Sequence, residues 1–310
     1  MTQRRSFPAA RLSVFALGAL AGVLCLVGPQ AAPAAAPEAG NAARGAYLFA
    51  AGDCAGCHTD TKAKGAPLAG GPPMVTDFGV FFAPNITPDK TNGIGAWSAA
   101  DFHRAMREGK GKKGELLYPV FPYPAFAKMT DADIADLWAY LKTVPASPQP
   151  SKPQQAKAPY GIRPLLLGWR ALYFHPGPLA PVAGQSPEWN RGRYLAEAVA
   201  HCGECHSPRN NLGAIEEKSA YAGNPAGPDD QKAPNITSDP KGLGKMDMAD
   251  LEELLKTGAK PDGDYVADAM ALVVDGLAKL TPADRHAIAV YIKSLPARPS
   301  TPKKGPVKAG

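Results

Sequence analysis

The chain has five cysteines, and four of them fall in two copies of one pattern, Cys54-Ala55-Gly56-Cys57-His58 and Cys202-Gly203-Glu204-Cys205-His206. Two thiols three positions apart can form thioethers with the two vinyl groups of one porphyrin. The histidine that follows is placed to bind the iron on its proximal side. The implied cofactor is covalently attached haem c, two per chain, with Cys54, Cys57, Cys202 and Cys205 as attachment points and His58 and His206 as metal ligands. A redox dithiol would need a βαβ pattern around it. A four-cysteine zinc site would have to unite both motifs and ignore both histidines.

Each motif opens a repeat. Arg44-Gly45-Ala46-Tyr47-Leu48 matches Arg191-Gly192-Arg193-Tyr194-Leu195, and Ala83-Pro84-Asn85-Ile86-Thr87 matches Ala233-Pro234-Asn235-Ile236-Thr237. The lead-in is expected to be a helix whose Tyr and Leu share the face that meets the porphyrin. The Pro-Asn segments are expected to be loops lining the haem edge. Both Asn-Ile-Thr triplets also fit a glycosylation pattern, which carries little weight here. Ser98 with Asp101 begins a helix that stops at Gly109, and Asp247 with Asp250 begins one that stops at Gly258. Thr130 and Thr281 cap the last helices, which end before Pro145 and Pro296. Each half therefore predicts three main helices, long loops and no strand alternation. The domains expected are residues 41–146 and 188–297, each with its own core, joined by a Pro-rich linker, 147–187, with a short apolar helix around Leu165 to Phe174. A flexible tail is expected over 298–310.

The sixth iron ligand decides whether a haem is sealed for electron transfer or open for catalysis, and methionine is the expected choice. Met270 precedes the last helix of the second half, in a segment read as a loop that can fold over the distal face. Met246 and Met248 flank a helix cap. In the first half Met106 reads as core and Met74 lies in a Gly-Pro-rich loop, so Met129 is taken as the ligand. Aligning the last helices sets Leu280 opposite Met129 and brings Met270 near Phe121, so the two chosen methionines are not equivalent. His103, His175, His201 and His286 are read as surface or core residues rather than ligands.

Arg4, Arg5 and Arg11 precede an apolar run, Leu12 to Val27, and an alanine-rich stretch. That is the form of an export signal over residues 1–36, cleaved between about Ala34 and Gly40. An uncleaved anchor is the alternative, although the run falls short of the ~20 apolar residues of a spanning helix. Export implies a periplasmic protein. The formal charge of +6 includes those three arginines, so the balance gives no nucleic-acid reading. Lys110, Lys112 and Lys113 are read as a solvated loop. The apolar insert with Trp169 leaves open a peripheral membrane attachment or a partner surface.

The Arg-Gly-x-Tyr-Leu lead-in, Gly70-Gly71-Pro72, Ala83 to Asp89, Ile94-Gly95-Ala96-Trp97-Ser98 and the stretch from Tyr118-Pro119 to Met129-Thr130-Asp131 resemble the dihaem c-type cytochromes. They are also similar to the cytochrome subunits of membrane-associated alcohol and gluconate dehydrogenases. The resemblance covers residues 44–296. It implies a mostly α fold of two tandem cytochrome c-type helical domains, each wrapped around one covalently attached haem. It also implies single electrons passing from a dehydrogenase donor toward a cytochrome or oxidase acceptor. The chain has two haem motifs where those dehydrogenase subunits have three, and Phe121 where some relatives have Met. The competing class is a dihaem redox enzyme, peroxidase-like or thiosulfate-oxidising, with one open haem, which would be the first.

Overall fold

A computed structural model describes residues 40–301. The expected export signal lies outside the described residues, as do positions 302–310. The first half runs α1 (Ala42–Ala51), α2 (Cys54–His58), β1 (Pro73–Thr76), β2 (Gly79–Phe82), α3 (Ala99–Glu108), α4 (Tyr123–Phe126) and α5 (Asp131–Leu141). The linker contributes β3 (Gln155–Ala156) and α6 (Leu166–Tyr173). The second half runs α7 (Pro187–Tyr194), α8 (Cys202–His206), α9 (Met248–Thr257), α10 (Asp268–Leu277) and α11 (Pro282–Ser294). The fold is mostly helical, as expected.

Capping sets the boundaries of these helices. Ser98 and Asp101 form a reciprocal capping box at α3. Thr130 and Thr281 accept from the backbone of Asp133 and Asp284, and Asp247 accepts from Asp250. Each oxygen satisfies a backbone donor that the first turn leaves without a helical partner. In both halves the lead-in helix crosses the last one, α1 on α5 and α7 on α11. A Cβ at Gly45 would lie 2.0 Å from the Asp136 carbonyl oxygen, and one at Gly192 would lie 1.8 Å from that of Ala287. Backbone therefore meets backbone at each crossing, and no larger residue fits.

Four expectations are corrected. Strands do occur: β1 and β2 pair antiparallel with Met74 opposite Phe81, and β3 adds beyond β2. Four-residue strands are too short to show a period of two convincingly. Met270 lies in the first turn of α10 rather than in a loop. The tail is bound as far as Thr301, whose N–H donates to the Ala222 carbonyl at 3.1 Å. The halves also do not have separate cores, because one apolar cluster takes in Leu48, Met129 and Leu137 together with Leu195, Leu251 and Ile288.

One asymmetry is written in chain length. The path from Arg191 to Cys202 is one residue longer than that from Arg44 to Cys54, and the second half absorbs the extra residue in a π-helical turn, Leu195–Val199. Such a turn accommodates a one-residue insertion without breaking the helix.

Candidate metal centres

Each motif forms a short helix of its own, α2 and α8, entered through a residue in the left-handed conformation, Asp53 (φ 45°) and His201 (φ 41°). That sharp entry turns the cysteines away from the lead-in axis. Burial pushes the thiols of Cys54, Cys57 and Cys202 up to about 12, and that of Cys205 up as well. Cys57 and Cys205 nevertheless keep exposed surface.

The histidines decide whether these residues fit a porphyrin iron. His58 Nδ1 lies 2.7 Å from the Pro84 carbonyl oxygen, and His206 Nδ1 lies 2.8 Å from that of Pro234. A carbonyl only accepts, so each bond requires the proton on Nδ1 and leaves the Nε2 lone pair available to a metal. Burial lowers both imidazoles from their ordinary value, which keeps them neutral, although the Pro carbonyls pull the other way. A neutral imidazole, fixed in tautomer and orientation by a backbone oxygen, is what a proximal iron ligand requires. The residues fit the cofactor.

The Ala-Pro-Asn-Ile-Thr loops thus hold the histidines. The loops are themselves tied to the chain that leaves each last helix. Asn85 donates to the carbonyls of Ser147 and Gln149 at 2.9 and 2.8 Å. Asn235 donates to the Arg298 carbonyl at 2.8 Å and to Ser300 Oγ at 3.2 Å. Thr87 and Thr237 donate their hydroxyls to these asparagines and accept from the N–H of Ser147 and Arg298. Both asparagines are buried, so neither triplet presents a glycosylation site. A left-handed glycine closes each loop: Gly70 (φ 121°) and Gly223 (φ 91°) donate to the carbonyls of His58 and His206. The repeated motif was visible in sequence, but its grip on residues 147–151 and 298–301 was not, because most of that grip is on backbone groups, which carry no residue identity.

The expected distal residues differ in setting. Met129 is fully buried before the cap of α5, while Met270 is partly exposed in α10. The lead-in tyrosines have a role that the sequence did not show: the hydroxyl of each reaches the opposite half. Tyr47 donates to Asp284 at 2.6 Å and accepts from Thr281 N–H at 3.1 Å. Tyr194 donates to Asp133 and accepts from Thr130 N–H at 3.1 Å. The motifs approach one another across the same junction. His201 Nε2 lies 3.3 Å from the Gly52 carbonyl, and the two residues stand next to or near the first cysteine of each motif. Burial pushes the Asp53 carboxyl up to about 6, and Asp275 of α10 adds to the effect.

A cytochrome c family model matches residues 42–145. The chain is 42% identical over 264 residues to a dihaem c-type cytochrome of Cereibacter sphaeroides, covering 83% of this chain and 87% of that one. It is 38% identical to the fructose dehydrogenase cytochrome subunit of Gluconobacter japonicus, covering 90% of this chain and 57% of that one. It is 39% identical to the gluconate 2-dehydrogenase cytochrome c subunit of Pantoea cypripedii, covering 82% and 59%. The chain therefore spans somewhat more than half the length of those dehydrogenase subunits. With relatives of this kind and a matching family model, the chain belongs to the c-type cytochromes, haem-binding proteins of electron transfer.

Proposed function

We propose that this is an exported, periplasmic dihaem cytochrome that accepts single electrons from a dehydrogenase and passes them toward the respiratory chain. Cys54, Cys57 and His58 hold one haem, and Cys202, Cys205 and His206 the other. The observation that carries the reading is the juxtaposition of the two motifs across one junction, with His201 beside Cys202 bonded to Gly52, two residues before Cys54. Two haems attached at neighbouring positions form a relay between partners that need not touch.

Bound haem supplies one-electron cycling of its iron between ferric and ferrous states. The protein supplies the rest. The carbonyls of Pro84 and Pro234 keep a proton on each Nδ1 and fix the ring planes, so a change of charge at the metal needs little rearrangement. Met270, in the first turn of α10, would supply the thioether to the second haem, and thioether ligation favours the ferrous state and raises the potential. The similarity to cytochrome subunits of fructose and gluconate dehydrogenases supports a dehydrogenase as donor. Among the described residues no helix is long and apolar enough to cross a membrane. Exposed Leu165, Leu167 and Leu172 on and beside α6 support a peripheral contact with a membrane or a partner.

The test is a pulse of reductant too small to reduce both haems of the purified holoprotein. Electrons should redistribute between the haems in a phase whose rate does not depend on protein concentration. Redistribution only through collisions between molecules would overturn the relay. N-terminal sequencing of the exported protein should find a start between residues 34 and 40.

A further inference from the structure

The two halves can be put in register by a hairpin that both carry. In the first, α3 ends on Gly109, Lys110 bridges Leu116 around Gly114, and the Leu117 N–H donates to the Gly109 carbonyl at 2.8 Å. In the second, α9 ends on Gly258, Ala259 bridges Tyr265 around Gly263, and the Val266 N–H donates to the Gly258 carbonyl at 2.9 Å. Every landmark is displaced by the same number of positions. Continued to the next few residues, this register sets Phe121 against Met270.

The methionines of the first half are then accounted for one by one. The caps Thr130 and Thr281 register Met129 with Leu280, both buried. A buried arginine donates to the carbonyl of each: Arg107 to Met129 at 2.6 Å, and Arg285 to Leu280. A place that leucine fills equally well in the other half is a packing position. Met106 falls against Leu255 in the hairpin register, and both are buried in their helices. Met74 lies in β1, paired with Phe81, just beyond Gly71, whose Cβ would meet the Cys57 carbonyl. It belongs to the loop that buttresses the motif from behind. His201 is engaged with the Gly52 carbonyl, and His103 with Asp131 at 2.8 Å. Phe121 itself stacks in an aromatic group, 5.6 Å from Phe126 and 6.5 Å from Tyr123 between ring centres.

We propose that the haem held by His58 has no side-chain ligand on its distal face, because Phe121 stands where Met270 stands in the other half, and that its iron binds a small diatomic molecule such as carbon monoxide or nitric oxide. The proposal rests on the dihaem reading above. The ligand donates its own lone pair to the ferrous iron; no bond to the protein breaks and no electron changes hands. An apolar aromatic wall admits a neutral diatomic more readily than an anion, whose charge would be desolvated there.

The test is a carbon monoxide titration of the fully reduced holoprotein, with haem counted separately by pyridine haemochrome assay. Half of the haem should shift its Soret band, and the ferric protein should show the methionine-to-iron band of one haem. Phe121→Met should abolish carbon monoxide uptake and double that ferric band, whereas Met270→Leu should double uptake. Met129→Leu should change neither. If wild type binds no carbon monoxide, or if Met129→Leu opens a new site, the proposal is overturned while the dihaem reading stands. A haem count other than two per chain would overturn both.

Discussion

The two halves hold their motif histidines in the same way but differ in the segment that follows the hairpin after Gly109 and Gly258. Around the histidines the halves match closely: a histidine Nδ1 on a proline carbonyl, an asparagine gripping the chain beyond the last helix, and a glycine closing onto the histidine carbonyl. After the hairpin, the single turn of α4 in the first half is replaced by the ten-residue α10 in the second, and Met270 takes the register position of Phe121. Holding a proximal histidine is a requirement that both repeats share, so both keep the whole device. The distal face sets potential and reactivity, and there the repeats are free to differ.

The largest test of this comparison lies at the shared helix crossings. Gly45→Val and Gly192→Val each drive a side chain into a backbone carbonyl, at a cost of about 3 kcal/mol or more. Thermal unfolding should show both substitutions to be severe. A mild effect at either site would show that its crossing can open, contrary to the symmetry.

Next come the loop anchors. Asn85→Ala takes the donor from the Ser147 and Gln149 carbonyls, Asn235→Ala takes it from the Arg298 carbonyl and Ser300 Oγ, and each should cost about 1 to 3 kcal/mol. Because the loops hold the proximal histidines, each variant should also disturb the spectrum of its own haem more than that of the other. Equal disturbance of both haems would mean that the loops act on the fold as a whole rather than on their own iron.

The reciprocal tyrosines test the junction between the halves. Tyr47→Phe and Tyr194→Phe each remove a hydrogen bond to a carboxylate, worth about 1.5 kcal/mol. The two losses should be equal within error in chemical denaturation. A difference well beyond that would mean that one half leans on the other.

The smallest expected effect sharpens an asymmetry. Lys128 of the first half lies 3.2 Å from Glu197 in the π turn of the second. Burial alone would raise the Glu197 carboxyl, but Lys128, Tyr291 and Arg193 together hold it below the ordinary glutamate value of 4.5. A carboxyl whose folded value is depressed contributes stability that is fully present above 4.5 and is lost as pH falls below it. Lys128→Met should therefore reduce the steepness of acid destabilisation below pH 4.5, by about 0.5 kcal/mol of total effect. An unchanged acid limb would show that Tyr291 and Arg193 suffice.

Much of the architecture could be read from residues alone. Ser98, Thr130, Asp247 and Thr281 were recognisable caps because a side-chain oxygen followed at fixed spacing by an acidic residue meets a local need. The α6 helix of the linker was legible as an apolar run between prolines. The short strands and α10 were missed: β3 is recruited by its partner strand, and α10 opens without a side-chain cap, at Ala267. Its packing against α1 includes Gly276, where a Cβ would lie 2.2 Å from the Ala50 carbonyl, a contact between distant positions that no local pattern reports.

The sequence by itself pointed to haem chemistry, because the motif for covalent haem attachment is five consecutive residues and can be recognised without any distant contact. It also determined the repeat, since the same local needs recur with the same residue types. Only the tertiary structure decided what holds each histidine, which residues Tyr47 and Tyr194 reach, and that one core serves both halves. These are contacts between segments far apart in the chain, whose partners are backbone carbonyls that carry no residue identity. Aligning the last helices already brought Met270 near Phe121, and the hairpins that follow Gly109 and Gly258 fix that register through the same bridges and backbone bonds in both halves.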